Sequence, residues 1–140
     1  MNDRSLHHCY VAAGLFMLMI GGMVYLLCRP NTVLVNHVVS VMRLDDLFVD
    51  MRQWMQLHPL SNLLIYCLPA GLWAASYVTL VHAFSSRLHE KERLVFASMM
   101  PLAGIVSELL QGVGFIPGTF DPIDIVCYAT PYLLYMMVLL

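Results

Sequence analysis

The sequence predicts an all-α fold: an integral membrane bundle of four transmembrane helices, with an amphipathic interfacial helix in the first loop. Three observations carry this expectation. Of the 140 residues, 60% are hydrophobic and only 11% charged, and the mean hydropathy of +0.75 lies well above that of soluble domains. The apolar residues gather into four runs, each close to the roughly 20 residues that cross about 30 Å of hydrocarbon at about 1.5 Å per residue. Most of the charges fall between those runs. A chain this short cannot bury so much apolar surface in a core of its own, so lipid is the sink.

The runs cover Tyr10 to Cys28, Leu63 to Phe84, Leu94 to Phe115 and Ile123 to Leu140, within one transmembrane domain spanning residues 1–140. None alternates as a barrel strand does, and each is about twice a barrel strand's length, which leaves the helix. The first run follows Arg4 much as a signal peptide would. It is longer than a signal core, however, and its far end, Leu26-Leu27-Cys28-Arg29, lacks the small-x-small pattern of a cleavage site, so it is expected to be a retained anchor. Pro69, Pro101 and Pro131 sit inside the other three runs. A proline frees a backbone carbonyl, and kinks facing the bundle interior are expected, plain packing being the simpler account of them.

Between the first two runs, Asn31 to Asn62 holds Arg43, Asp45, Asp46, Asp50 and Arg52 among Leu44, Leu47, Phe48, Met51, Trp54 and Met55. The apolar positions recur at spacings of three and four. That pattern predicts a helix lying on the membrane surface with Trp54 at headgroup depth, and a soluble cap helix over the bundle would share it.

A net charge of −2 and the lack of any basic stretch exclude a nucleic-acid partner. The expected partner is the lipid bilayer, with a second membrane protein or a second copy of the chain left open. With the amino terminus in the cytoplasm, Arg4 joins Arg87, Lys91 and Arg93 inside, against Arg29, Arg43 and Arg52 outside. Cations concentrate on the cytoplasmic side of membrane proteins, so both termini are expected there. Cys9, Cys28, Cys67 and Cys127 lie far apart, in or at the ends of the apolar runs, and read as small packing residues. The six histidines are scattered, and His7 and His8, though adjacent, point different ways on a helix. No metal site and no cofactor are expected.

The informative stretch runs from Ser107 to Asp124. Glu108 stands seven residues before Phe115, which places it about 10 Å below the interface if the helix continues to the end of the run. A carboxylate at that depth must face the bundle, find a partner or keep its proton. Gln111 is one turn on, on the same face. Asp121 and Asp124 flank Pro122 at the start of the fourth run. That arrangement is what a helix start needs: a cap, a proline at the first position and an acid in the first turn. A short turn would fold the fourth helix back on the third, so Glu108, Gln111, Asp121 and Asp124 are the candidate ligand-binding cluster, lining one shallow pocket.

These residues also resemble the VanZ-like family of small bacterial membrane proteins, named for a protein associated with teicoplanin resistance. The resemblance lies in Glu108 and Gln111, then Pro117-Gly118, then Asp121 and Asp124, with Arg29-Pro30-Asn31 resembling the start of the family's first loop. The motif covers about a fifth of the chain, and helix number and spacing agree throughout. Thr119 stands where the family commonly has arginine, and Tyr128 and Pro131 where it has an asparagine and a glycine. The resemblance implies a protein of the bacterial cytoplasmic membrane, linked to cell-envelope antibiotics.

Three classes of function follow. A non-catalytic envelope factor binding a lipid-linked or glycopeptide ligand at the outer face ranks first, and a structural subunit of a larger membrane complex, using Gly14, Gly21, Gly22, Gly112 and Gly114 for close helix contact, ranks second. An enzyme using Glu108 and Asp124 as acid and base ranks last, because the sequence has no nucleophile-base pair, metal-ligand set or phosphate-binding loop. A transporter is disfavoured, since four helices without an internal repeat are few for alternating access.

Overall fold

A computed structural model describes residues 3–28, 41, 50–51, 53–55, 57 and 61–139. Its four long helices are α1 (Asp3–Cys28), α2 (Asn62–Phe84), α3 (Glu90–Gly112) and α4 (Pro122–Leu139), and no strand occurs among the described residues. Each of the four is long and apolar enough to cross a membrane.

Helix ends follow local chemistry. Ser61 precedes α2, and its carbonyl accepts from the Ile65 N–H at 3.1 Å. Before α3 the Glu92 carboxylate accepts from the backbone N–H of His89 at 3.1 Å. With Glu90 it also places negative charge in the first turn, where the helix dipole favours it. At its far end α3 stops short of the apolar run. Gly114 adopts φ +73°, its N–H bonds to Gln111 O at 3.0 Å, and the Phe115 N–H bonds to Leu110 O at 2.9 Å. This pair of bonds is the Schellman arrangement, in which a left-handed glycine turns the chain out of the helix while satisfying the last carbonyls. The helix therefore ends at Gly112 rather than Phe115.

Helix α2 is the shared element, packing against α1, α3 and α4. It runs antiparallel to α1: the His7 Nδ1–H donates to Ala83 O at 3.1 Å at one end, and Tyr25 meets Trp73 at a ring separation of 5.2 Å at the other. Midway, the buried Ser76 hydroxyl donates to Gly14 O at 2.7 Å. Against α3, the Tyr77 hydroxyl donates to Phe96 O at 2.9 Å. Helix α4 runs parallel to α2, with Gly71 beside Cys127 and His82 hydrogen-bonded to the Tyr135 hydroxyl at 3.3 Å. Both described termini, together with Arg4, Arg87, Lys91 and Arg93, therefore lie at one end of the bundle.

The interior is built from small side chains, Ala70, Ala74, Ser76, Ala83 and Ala97 among them, with Pro69 and Pro101 also buried. The bulky ones, such as Phe16, Met19, Val126, Met137 and Val138, point outward. Helices associating in lipid gain from close backbone approach rather than from hiding large apolar groups, and small residues allow it. The predicted surface helix falls largely on residues outside those described, as do Arg29-Pro30-Asn31. Of that segment, residues 41, 50, 51, 53–55 and 57 are helical, and Met51, Trp54 and Met55 line a small cavity with Leu27.

The Gly14 contact ranks packing against hydrogen bonding. A Cβ at Gly14 would lie 2.7 Å from Leu80 Cγ, so Gly14→Val should cost about 1–3 kcal/mol, as overpacking does. Ser76→Ala should cost only about 0.6 kcal/mol, the average for an interhelical hydrogen bond in lipid. Reversible unfolding in mixed micelles would measure both, and the reverse order would reject close packing as the main contact between α1 and α2.

Candidate functional site

The end of the bundle opposite Arg4, Arg87, Lys91 and Arg93 gathers the last turns of α1 and α3 and the first turns of α2 and α4. Because α3 ends at Gly112, Glu108 lies about 6 Å from the helix end at about 1.5 Å per residue, shallower than the sequence suggests. It is nevertheless buried, at 6% exposure. Its Oε2 accepts from the backbone N–H of Asp121 at 3.2 Å. Glu108 thus has a structural task that its depth alone does not reveal, since it ties the last turn of α3 to the start of α4 and places negative charge at that helix's positive end.

Asp121 acts as the α4 cap, its Oδ1 accepting from the Ile123 N–H at 2.9 Å. Pro122 takes the first helical position, and Asp124 sits in the first turn with its N–H bonded to Asp121 O at 3.1 Å. The Gln111 side chain lies across Gly118, whose φ of +151° suits glycine and where a Cβ would collide with the Gln111 amide. Gly118 is thereby explained: any larger residue at 118 would displace Gln111.

Glu108, Gln111, Asp121 and Asp124 all line a single cavity of about 1070 Å³. Five aromatic residues share its other walls with Pro69, Ala70, Pro117, Gly118 and Thr119. Tyr25 comes from α1, Tyr66 and Trp73 from α2, Phe120 from the α3–α4 turn and Tyr128 from α4. Sequence reasoning missed these five. The signal was nonetheless present: in an up-and-down bundle the end of α1, the start of α2, the end of α3 and the start of α4 share one level, and each carries an aromatic residue near it.

Sequence reasoning also treated Cys67 as packing alone. It is buried, and its Sγ lies with carboxylate oxygens of Asp121 and Asp124 in a group whose atoms are all within 4.8 Å of one another. A thiol and two carboxylates could hold a divalent ion, one ligand short of a closed tetrahedral zinc site. His7 and His82 lie elsewhere: His7 packs edge-on against Phe84, and His82 against Tyr10 and Tyr135, at the opposite end of the bundle. Chemically the cavity offers hydrogen-bond acceptors, negative charge and aromatic faces. Among its described lining residues there is no lysine, arginine or histidine.

Compared with known protein families, curated proteins and solved structures, the chain matches none of them.

The bonds around Asp121 separate capping from other roles. Glu108→Gln keeps an oxygen to accept from the Asp121 N–H, whereas Glu108→Leu leaves that part-buried N–H without its partner, at a cost of about 1 kcal/mol. Asp121→Asn and Asp121→Ser should hold stability, and Asp121→Ala should lose about 1 kcal/mol. Unfolding midpoints of the purified variants would show this, and a Glu108→Leu protein as stable as the parent would refute the link between α3 and α4.

Proposed function

We propose that the chain is an integral protein of the bacterial cytoplasmic membrane, VanZ-like in its polar motif, acting as a non-catalytic cell-envelope factor that binds a lipid-linked or glycopeptide ligand. The observation that carries this reading is the cavity of about 1070 Å³ into which Glu108, Gln111, Asp121 and Asp124 all face. Its size suits a substantial organic ligand, since binding pockets usually measure about 300–1,000 Å³. Four helices with bulky apolar side chains outward and small ones inward fit insertion into lipid.

Orientation in this reading follows the cations. All the described Lys and Arg residues sit at the end holding both termini, so that end faces the cytoplasm and the cavity opens at the outer face. The first-loop segment around Trp54 then lies at the same outer interface, as an amphipathic surface helix would. The structural roles of Glu108 and Asp121 are compatible with ligand binding, because a site is most precise when its polar groups are held by the scaffold.

The reading is tested in cells. A strain lacking the protein should change in sensitivity to glycopeptide and other envelope-targeting antibiotics, and the parent chain should restore it. Glu108→Gln and Asp124→Asn, which keep size and most hydrogen bonding, should accumulate normally and fail to restore. Full restoration by both variants would leave the structural-subunit alternative in front.

A further inference from the structure

The cavity's two kinds of wall, taken together, say what class of chemical group it holds. Three carboxylates, Glu108, Asp121 and Asp124, border it, with no cationic side chain among the described lining residues. Carboxylates gathered on one cavity repel one another as anions, and a cation is the occupant that removes the repulsion. Phosphate or pyrophosphate is the occupant they would reject. Facing them are Trp73, Tyr128 and Phe120 with Tyr25 and Tyr66, and aromatic faces attract cations whose charge is spread over an organic group.

The aromatic walls are also seated on glycines. A Cβ at Gly21 would lie 2.8 Å from the Trp73 ring, and one at Gly104 would lie 2.6 Å from the Tyr128 ring. At Gly112 the Phe120 ring would be 3.2 Å away. Three helix positions on α1 and α3 thus lack side chains where a cavity aromatic packs against them, which places the rings independently of the acids.

We propose that the cavity binds an organic ammonium group, primary or quaternary, held by the three carboxylates and enclosed by the aromatic side chains that Gly21, Gly104 and Gly112 seat. This rests on the reading of the cavity as a ligand site and names the ligand's chemistry. A bare metal ion fits less well: Cys67, Asp121 and Asp124 could ligate one, but the five rings and a volume of about 1070 Å³ would then have no part.

The test uses the purified full chain in maltoside micelles with Trp54→Phe, which leaves Trp73 as the sole tryptophan. Choline and tetramethylammonium should change Trp73 fluorescence saturably, and dimethylbutanol, the uncharged carbon isostere of choline, should bind roughly tenfold more weakly or less. Asp124→Asn should weaken choline by a similar factor. Gly104→Ala, which touches no ligand, should also weaken it by displacing Tyr128, with helix content unchanged by circular dichroism. Equal binding of choline and its isostere, or undiminished binding in Asp124→Asn, would overturn the ammonium assignment. So would one-to-one Zn²⁺ binding that Cys67→Ser abolishes while choline leaves Trp73 unperturbed. These titrations are independent of the antibiotic phenotype. An intact phenotype with no ammonium binding overturns this proposal alone, and ammonium binding without a phenotype supports it while overturning the envelope role.

Discussion

The hydrogen bond from the Asp121 backbone N–H to Glu108, at 3.2 Å, is the contact on which the polar end of the molecule depends. A carboxylate in the last turn of α3 would be costly among apolar residues, and the unsatisfied amides at the start of α4 would be costly too. Each removes the other's penalty. The pairing closes the α3–α4 hairpin and sets Asp124 in the first turn of α4 beside Cys67 of α2. Gln111, packed over Gly118, completes the turn. Without this closure the acids would be separate helix-end features with no common volume.

The rest of the bundle serves that arrangement by keeping its helices close. Its interior is mostly alanine, serine, glycine and proline, so backbones approach and most large side chains are left for the outside. Where two helices come nearest, a glycine often faces a ring, as Gly21 faces Trp73 and Gly104 faces Tyr128. The close contacts that hold the bundle together thus also position the cavity's walls. Helix α2 carries most of this load, since it contacts all three neighbours and supplies Tyr66, Cys67 and Trp73 to the polar end.

Four helices of near-spanning length were legible because a 20-residue apolar run has few other uses. The start of α4 was legible for the same local reason: Asp121, Pro122 and Asp124 each have a helix-start preference that needs no tertiary context. The end of α3 was misjudged by three residues, because Val113 and Phe115 continue the apolar run while Gly114 ends the helix through its backbone conformation. The aromatic residues could be placed at the level of the polar end, but which of them border the cavity, and that Cys67 joins the acids, was not legible, because membership depends on which helix face turns inward. That choice is set by small residues on neighbouring helices, and hydropathy is blind to it.

In the proposed orientation, the cavity opens to water at the outer face and only one side of α3 borders it. Neighbouring positions on that helix test it directly: Gln111 lines the cavity, while Leu109 is exposed on the outer surface of the bundle. In intact cells carrying a chain whose four cysteines are replaced, a membrane-impermeant maleimide should label Gln111→Cys rapidly and Leu109→Cys little, since lipid shields the latter. Equal labelling of the two, or labelling of Gln111→Cys only after the cytoplasmic side is exposed, would contradict the account.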